Sequence, residues 1–198
     1  TLFRSDDYTV VAVTSYLNLV AVENGGSAAS LYDLKDRHIV MPGSVQDTPE
    51  MWMLSVLLSQ ADISANLAFE PDEVVRQRVR NGDFGMMILP IEQCAPVLLY
   101  ANQYRSCFNL AAQWSVLLGT QPPAGSCLIM RNACGEEKRA AISGFSATVK
   151  SSIGFLNTHR KKAAMLIAAE DFDGDLSYIQ KTISHCMFAY LDDESAAN

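Results

Sequence analysis

The 198-residue chain has 15 basic and 22 acidic side chains, a formal net charge of −7, and 49% apolar residues. This acidic balance argues against nucleic-acid binding, which usually requires a basic face. No window reaches the roughly 18–20 consecutive apolar residues of a membrane span, so the chain itself is not expected to cross a bilayer. The 5 cysteines and 3 histidines lack metal-ligand spacing, which predicts no metal site.

The N-terminal region predicts two strands. Residues 1–5 also match one translation of a common sequencing adapter, so residue 6 or 7 is the expected first genuine residue; a natural terminus is the alternative. Tyr8–Val13 and Leu17–Val22 are β-branched, alternating runs that favour strands, with a break at residues 14–16.

Between residues 33 and 96 the sequence predicts a strand, two helices and another strand. His38–Met41 is apolar and precedes a Pro-Gly turn. Thr48 is a typical N-cap because Pro49 then takes the first helical position, where its missing N–H is harmless. The helix is predicted to bury one face. That face comprises Met51, Leu54, Leu57 and Leu58.

The second half of this unit has equally clear boundaries. Pro71 opens a helix that carries Val74, Val75 and Val79, and Gly82 ends it. Phe84–Pro90 is the next predicted buried strand. In such α/β units the loops at the strand ends are the usual place for a small ligand.

The C-terminal half predicts one long amphipathic helix. Apolar residues recur there at steps of three and four, namely Ile142, Phe145, Val149, Ile153 and Leu156. Gly144 and Gly154 weaken this helix, each by about 1 kcal/mol relative to alanine. Trp52 and Trp114 lie on apolar helix faces and are predicted core residues rather than cleft residues.

Several of these segments resemble the type II solute-binding proteins of ABC importers, in particular the nitrate, sulfonate, taurine and thiamine-precursor branch. Members of that family have a "DLKG" motif before a strand, then a Pro-Gly turn and a helix that begins with Thr-Pro and an acidic residue. The next helix ends with Gly and an acidic residue, the strand after it ends with "LPEP", and an "EW…LTG" helix lies farther on. The matching segments here are Asp33–Asp36, Pro42–Gly43, Thr48–Glu50, Gly82–Asp83, Leu89–Glu92 and Gln113–Gly119. Cys127–Arg131 resembles the strand that follows, and Phe155–Asn157 with Ala163–Ala164 resembles the family's long "W-V-N…EEAA" helix.

The resemblance implies an α/β, type II periplasmic-binding-protein-like fold with one complete lobe, hinge strands and C-terminal helices. Residues 1–30 would end the first lobe and form the crossing strands, residues 31–105 the second lobe, and residues 106–198 the return crossing and helical region. The rest of the first lobe, a signal peptide and any lipid anchor would precede the chain. The implied function is extracytoplasmic capture of a small organic molecule for an ABC permease, without cofactor or catalysis, and with membrane association only through that anchor.

The loop of residues 43–48 is the leading candidate for ligand contact, because it follows a strand and precedes a helix. By resemblance it is the family's second-lobe ligand loop, which makes Ser44, Gln46 and Thr48 candidate site residues. The alternative is that this loop is an ordinary connection between a strand and a helix, in which Thr48 serves only as the helix cap. Asp47 and Glu50 already use the positive end of the helix dipole, so a neutral or cationic ligand is favoured.

Two further segments supply candidates. Pro90 and Glu92 occupy the position of the "LPEP" turn, where Glu92 would accept a ligand hydrogen bond or cap the next helix. Ser15, Tyr16 and Asn18 lie at the first crossing, where family members have Trp or Tyr and Asn. Tyr16 would stack on a ligand or pack against the hinge.

Other functions have weaker support in the residues. An effector-sensing domain of a LysR-type transcription regulator shares the fold, and one branch synthesises the thiamine pyrimidine with a cysteine-rich run that this chain lacks. Cys94 with a remote histidine would make a thiol–imidazole pair, but no orienting group is apparent. His185 lies in a segment similar to the family's "IPRCN", without its Pro and Arg. A disulfide of Cys127 with Cys134 or Cys107 is possible, as are free thiols.

Overall fold

The computed structural model describes residues 7–133, 135–170 and 175–192. The predictions for residues 1–5 and for Cys134 fall outside these ranges. Within them the chain forms eight strands, listed here in chain order: β1 Tyr8–Tyr16, β2 Leu19–Asn24, β3 His38–Pro42, β4 Asn66–Glu70, β5 Met86–Pro90, β6 Tyr104–Asn109, β7 Ala124–Arg131 and β8 Phe188–Leu191.

Seven α-helices lie in the same described ranges, with 3₁₀ turns at Leu31–Leu34 and Gly43–Val45. The helices are α1 Pro49–Gln60, α2 Asp72–Asn81, α3 Ile91–Tyr100, α4 Leu110–Leu118, α5 Glu136–Thr158, α6 Arg160–Ala169 and α7 Leu176–His185. None of these helices is long and apolar enough to span a membrane.

Five strands form one sheet in the order β4-β3-β5-β2-β6. β3 runs parallel to β4 and β5, whereas β2 runs antiparallel to β5 and β6. The C-terminal ends of β3, β4, β5 and β6 therefore share one edge with the N-terminal end of β2. This common edge carries the loops in which the candidate site residues lie.

Both faces of this sheet are covered by helices. Leu19 and Ala21 of β2 belong to the core that contains Leu54 of α1 and Trp114 of α4. The alternate residues Val20 and Val22 belong to a second core with α2 and α3. Because successive residues of a strand face opposite sides, one strand contributes to both cores, and the sheet is sandwiched between two helical layers.

Three strands form a second, antiparallel sheet in the order β7-β1-β8. The pairing of β1 with β7 shifts register between Val13 and Ser15 and again between Ser15 and Tyr16. Such irregularities bend a strand and turn its side chains. The irregularity therefore falls where β1 approaches the edge of the first sheet.

The predicted helix boundaries of the central unit are confirmed. Thr48 caps α1, and its hydroxyl accepts the Met51 backbone N–H at 3.4 Å. Gly82 ends α2 with φ of +76°, a left-handed conformation that glycine adopts without steric cost. Met53, Leu54 and Leu57 are the buried residues of α1, and Met51 and Leu58 pack against the same core.

Two predictions of burial were wrong. Trp52 and Phe145 are each 56% exposed, whereas Trp114 is buried as predicted. The exposed ring of Trp52 on α1 lies beside the ring of Trp114, with the two ring centroids 6.0 Å apart. Periodicity identified the apolar side of each helix but overestimated the width of the covered face.

The long C-terminal helix expected from the resemblance is interrupted. α5 ends at Thr158 and α6 begins at Arg160, with His159 at φ −129° between them. The Thr158 hydroxyl donates to the Gly154 carbonyl at 2.8 Å, a bond to the preceding turn that favours bending. α6 then turns so that Ala164 packs with Ile179 and Ile183 of α7.

Candidate functional site

A cavity of about 360 Å³ lies at the common edge of the five-stranded sheet, where β1 and β7 approach it. Its volume is within the range of small-molecule sites. The residues that line it are Ser15, Tyr16, Leu17, Asn18, Ser44, Val45, Thr48, Glu50, Pro90, Ile91, Glu92 and Gly125. Every predicted site residue except Gln46 is among them, although their contact with a solute stays a prediction. Gln46 is exposed in the loop and lies outside the lining.

Ser44 is held by Asp72 at the start of α2. The Ser44 backbone N–H donates to Asp72 Oδ1 at 3.1 Å, and the hydroxyl donates to Oδ2 at 2.7 Å. Gln93 Nε2 donates to the same Oδ2 at 2.9 Å. Burial alone would raise the pKa of Asp72, but the hydrogen bonds from Ser44 and Gln93 outweigh it and lower that pKa. Asp72 thus fixes the loop as an ionised carboxylate.

Thr48 has its hydrogen-bonding capacity directed at the backbone. It donates its hydroxyl to the Val45 carbonyl at 2.9 Å and also caps α1. The capping role considered in the sequence is therefore present, and Thr48 lines the cavity at the same time. Its side chain offers a fixed oxygen rather than a free hydroxyl.

The wall formed by β1 and β7 carries hydroxyl groups. Ser15 Oγ and Ser126 Oγ are 2.6 Å apart. Tyr16 donates its hydroxyl to Gln121 Oε1 at 2.8 Å, which orients the ring beside the cavity. Burial raises the pKa of Tyr16, so its phenol is protonated at neutral pH.

Asn18 is a buried connector at the rear of the site. Its Nδ2 donates to the His185 carbonyl at 3.0 Å, and its Oδ1 accepts from the Ala111 N–H at 3.2 Å. Only 6% of the residue is exposed. Asn18 therefore joins the end of α7 and the beginning of α4 to the crossing strand that carries Tyr16.

The charged groups of the lining are both acidic. Glu50 lies in the first turn of α1 and Glu92 in the first turn of α3, so the two helices begin at the cavity with one carboxylate each. Among the described residues that line the cavity, none is Lys, Arg or His. The described lining is thus suited to neutral or positively charged groups, as the position of Glu50 at a helix start already suggested in the sequence.

Sequence reasoning missed Gly125, which lies where the two sheets meet. A Cβ at this position would be 2.7 Å from the Tyr16 carbonyl carbon and 2.9 Å from the Leu17 backbone nitrogen. Glycine is therefore required for the close approach of β7 to β1. The one available signal was the Pro122–Pro123 pair just before the strand, but nothing in the sequence paired that strand with β1.

The groups considered for catalysis are not arranged for it. Cys94 is fully buried, and burial raises the pKa of its thiol to about 12, so it is not a thiolate at neutral pH. Burial, followed by the charges of Lys181 and Arg160, lowers the pKa of His185. Cys107 and Cys127 are free thiols, so the pairing considered between them is absent. No three His, Cys, Asp or Glu side chains of the described ranges cluster as a metal site.

Solved structures of other proteins share this fold. The ABC transporter protein of Parabacteroides distasonis matches with a TM-score of 0.68 and 15% identity, over 96% of this chain and 64% of that one. The periplasmic aliphatic sulphonate-binding protein SsuA of Escherichia coli matches with a TM-score of 0.62 and 16% identity, over 98% and 65%. The alkanesulfonate-binding protein SsuA of Xanthomonas axonopodis, bound to MOPS, matches with a TM-score of 0.52 and 13% identity, over 94% and 63%.

These likenesses establish the fold. It is the α/β, type II periplasmic-binding-protein-like fold that the sequence resemblance implied. The chain spans a little under two thirds of the length of each of these proteins. No protein-family model matches the sequence, and no curated protein matches it significantly.

Proposed function

We propose that the chain is part of the extracytoplasmic solute-binding component of an ABC importer, which captures a small organic molecule and delivers it to a membrane permease. The observation that carries this proposal is the cavity at the common strand edge, closed on one side by β1 and β7. Ligands of open α/β sheets bind at such edges. The solved structures with this fold that are described above are transport proteins, which favours neither the regulator nor the enzyme alternative.

The proposed mechanism is capture by closure. Ser15 and Tyr16 lie in β1 of one sheet. Ser44 and Glu92 follow β3 and β5 of the other sheet, Ser44 in the connecting turn and Glu92 in the first turn of α3. A solute that touches both sides stabilises the closed arrangement, because those contacts exist together only when the sides approach. A further lobe over the cavity would add contacts, so we expect this chain alone to bind more weakly than about 1 μM, which corresponds to about −8 kcal/mol.

The binding step is tested by titrating the ¹⁵N-labelled chain with a library of small polar metabolites, each at millimolar concentration. We expect at least one compound to shift the amide resonances of Ser44, Glu92 and Gly125. Ser44→Trp, which fills the cavity, should abolish the shifts. Ser59→Trp is the matched control, because Ser59 is exposed at the other end of α1. If no compound in the library shifts lining residues, solute binding at this cavity is ruled out.

The delivery step is tested separately by sequencing the source locus on both sides of the coding frame. Neighbouring genes for a permease and an ATPase would support import, and a signal peptide or anchor upstream would support an extracytoplasmic location. A helix-turn-helix segment fused upstream would instead make the chain the sensing domain of a regulator, even if a solute binds in the cavity.

A further inference from the structure

We propose that the solute is a small organic cation carrying a protonated amine or quaternary ammonium group, rather than an anion such as a sulfonate or carboxylate. This inference rests on the proposed function, since it names the class of solute for the same cavity. A cationic solute differs from the ligands of the alkanesulfonate-binding and aliphatic sulphonate-binding proteins with this fold, which by their names bind sulfonates. The observation behind it is the balance of donors and acceptors in the lining.

Three of the four hydroxyl groups in the described lining already donate within the protein; the fourth, Ser15, lies 2.6 Å from Ser126 Oγ, and either of the two is the donor. Ser44 donates both its hydroxyl and its backbone N–H to Asp72, Thr48 donates to the Val45 carbonyl, and Tyr16 donates to Gln121. Each of these three hydroxyl groups has one hydrogen to donate. What they present to a ligand is therefore an oxygen lone pair, which accepts hydrogen bonds.

The start of α1 does not reverse this balance, and the start of α3, which has no side-chain cap, carries the carboxylate of Glu92 in its first turn. α1 begins with Pro49, which has no N–H, and its Met51 and Trp52 N–H groups donate to Thr48. Glu50 and Glu92 place a carboxylate in the first turn of α1 and α3, respectively. A carboxylate there takes up the favourable potential of the helix end that an anionic ligand would otherwise use.

Formal charge points in the same direction. Glu50 and Glu92 are the charged side chains of the described lining, and Asp72 lies directly behind Ser44 as a third carboxylate. An anion would enter a site of like charge without a basic partner, whereas a cation would find two carboxylates. The ring of Tyr16 adds a face on which an ammonium group binds favourably.

The test uses three probes of nearly identical shape and different charge: choline, neutral 3,3-dimethylbutan-1-ol and anionic 3,3-dimethylbutanoate. Each is titrated into the ¹⁵N-labelled chain at neutral pH, with the resonances of Ser44, Glu92 and Gly125 as the readout. We expect choline to bind at least about tenfold more tightly than either other probe, as two partly screened carboxylates would provide. The double substitution Glu50→Gln and Glu92→Gln should remove the preference.

Glu73→Gln is the control, because Glu73 is an exposed carboxylate of α2 outside the cavity and should leave the preference unchanged. The inference is overturned if the anion or the alcohol binds as tightly as choline, or if choline leaves the lining resonances unmoved. Neither result contradicts the proposed function of solute binding, because the titration with the metabolite library tests that function separately. A lining that responds to library sulfonates but not to choline would keep solute binding and reject the cation.

Discussion

Asn18 donates its side-chain amide to the backbone carbonyl of His185 at 3.0 Å, across 167 positions of the chain. The same side chain accepts the Ala111 N–H, so a single buried amide joins three segments that are far apart in sequence. All three segments meet behind the cavity. The geometry of the site therefore depends on one side chain that offers little surface to a ligand.

We predict that Asn18→Ala destabilises the chain by about 2 to 4 kcal/mol, because the buried Ala111 N–H and the partly buried His185 carbonyl lose this partner. Urea denaturation followed by circular dichroism measures this change. Asn66→Ala is the matched control, since Asn66 is exposed at the start of β4 and should cost less than about 0.5 kcal/mol. Equal losses in the two variants would show that Asn18 does not hold the segments together.

A second prediction concerns the close approach of β7 to β1. Gly125→Ala should destabilise the chain by about 1 to 3 kcal/mol, because its Cβ would collide with the backbone of Tyr16 and Leu17 rather than with a side chain that can move. Gly154→Ala should do the opposite. Its Cβ meets nothing within 4 Å, and alanine inside α5, four residues before the end of the helix, should increase stability by about 0.5 to 1 kcal/mol.

Thermal unfolding of the two variants under identical conditions provides the comparison. The same chemical change should lower the midpoint at position 125 and raise it at position 154. A neutral Gly125→Ala would mean that β7 and β1 separate easily at this point. In that case the wall of the cavity formed by β1 and β7 would not be rigid.

Local features of the chain were predictable from the sequence, whereas the pairing of distant segments was not. Thr48 and Gly82 were recognised as helix ends because capping depends on neighbouring residues. The loop at Ser44 was recognised because strand, turn and helix follow directly in the chain. Gly125 was missed because its requirement arises from Tyr16, more than a hundred positions earlier, through a strand pairing that has no local signal.

Gln46 lies outside the lining for a related reason. The sequence placed it in the loop that borders the cavity, but the 3₁₀ turn at Gly43–Val45 has about three residues per turn and does not direct every residue of the loop to one side. Ser44, Val45 and Thr48 line the cavity, whereas Gln46 is exposed. The error at Trp52 shows the same limit for helices, since periodicity gives a direction but not how far neighbouring elements extend over it.

Glu23 predicts a pH dependence of stability. This carboxylate is 3% exposed and accepts hydrogen bonds from Arg37, from Arg105 at 3.0 Å and from the Ala28 N–H at 2.9 Å. Burial alone would raise its pKa, but the Ala28 hydrogen bond and the two guanidinium groups outweigh it and hold the pKa below 4.5. The folded state therefore favours the ionised form.

A lowered folded pKa gives stability that is present above the unfolded pKa and is lost as the pH falls through the folded value. Glu23→Gln should cost about 2 kcal/mol at pH 7, where two guanidinium groups lose their counter-ion. The difference from the unsubstituted chain should shrink as the pH falls below 4.5. Denaturant midpoints at several pH values test this, and a difference independent of pH would contradict it.

The cysteines provide a test of burial. Cys94 is fully buried with its pKa raised to about 12, whereas Cys127 is exposed and free. Iodoacetamide at pH 8 should modify Cys127 in the native chain and leave Cys94 unmodified until urea is added, since the thiolate is the reactive form. Peptide mass spectrometry distinguishes the two sites. Rapid native modification of Cys94 would reopen the possibility of a reactive thiol at this position.

The last prediction separates the ring of Tyr16 from its hydroxyl. If a cation rests on the ring, Tyr16→Phe should change the dissociation constant of choline by less than about twofold, because the phenyl face still attracts an ammonium group. Tyr16→Leu keeps much of the apolar volume but removes the π face, and should weaken binding by about five- to tenfold. The hydroxyl is already donated to Gln121 at 2.8 Å, so its loss should appear in stability rather than in affinity.

The NMR titration with choline measures both variants, and chemical denaturation measures the cost of losing the Gln121 hydrogen bond, expected to be about 1 kcal/mol in Tyr16→Phe. Equal weakening by Phe and Leu would show that the hydroxyl rather than the ring contacts the ligand. No weakening by Leu would mean that Tyr16 packs against the crossing strands, which was the other role its position in the sequence allowed. In that case Glu50 and Glu92 would have to supply the preference for a cation without the Tyr16 ring.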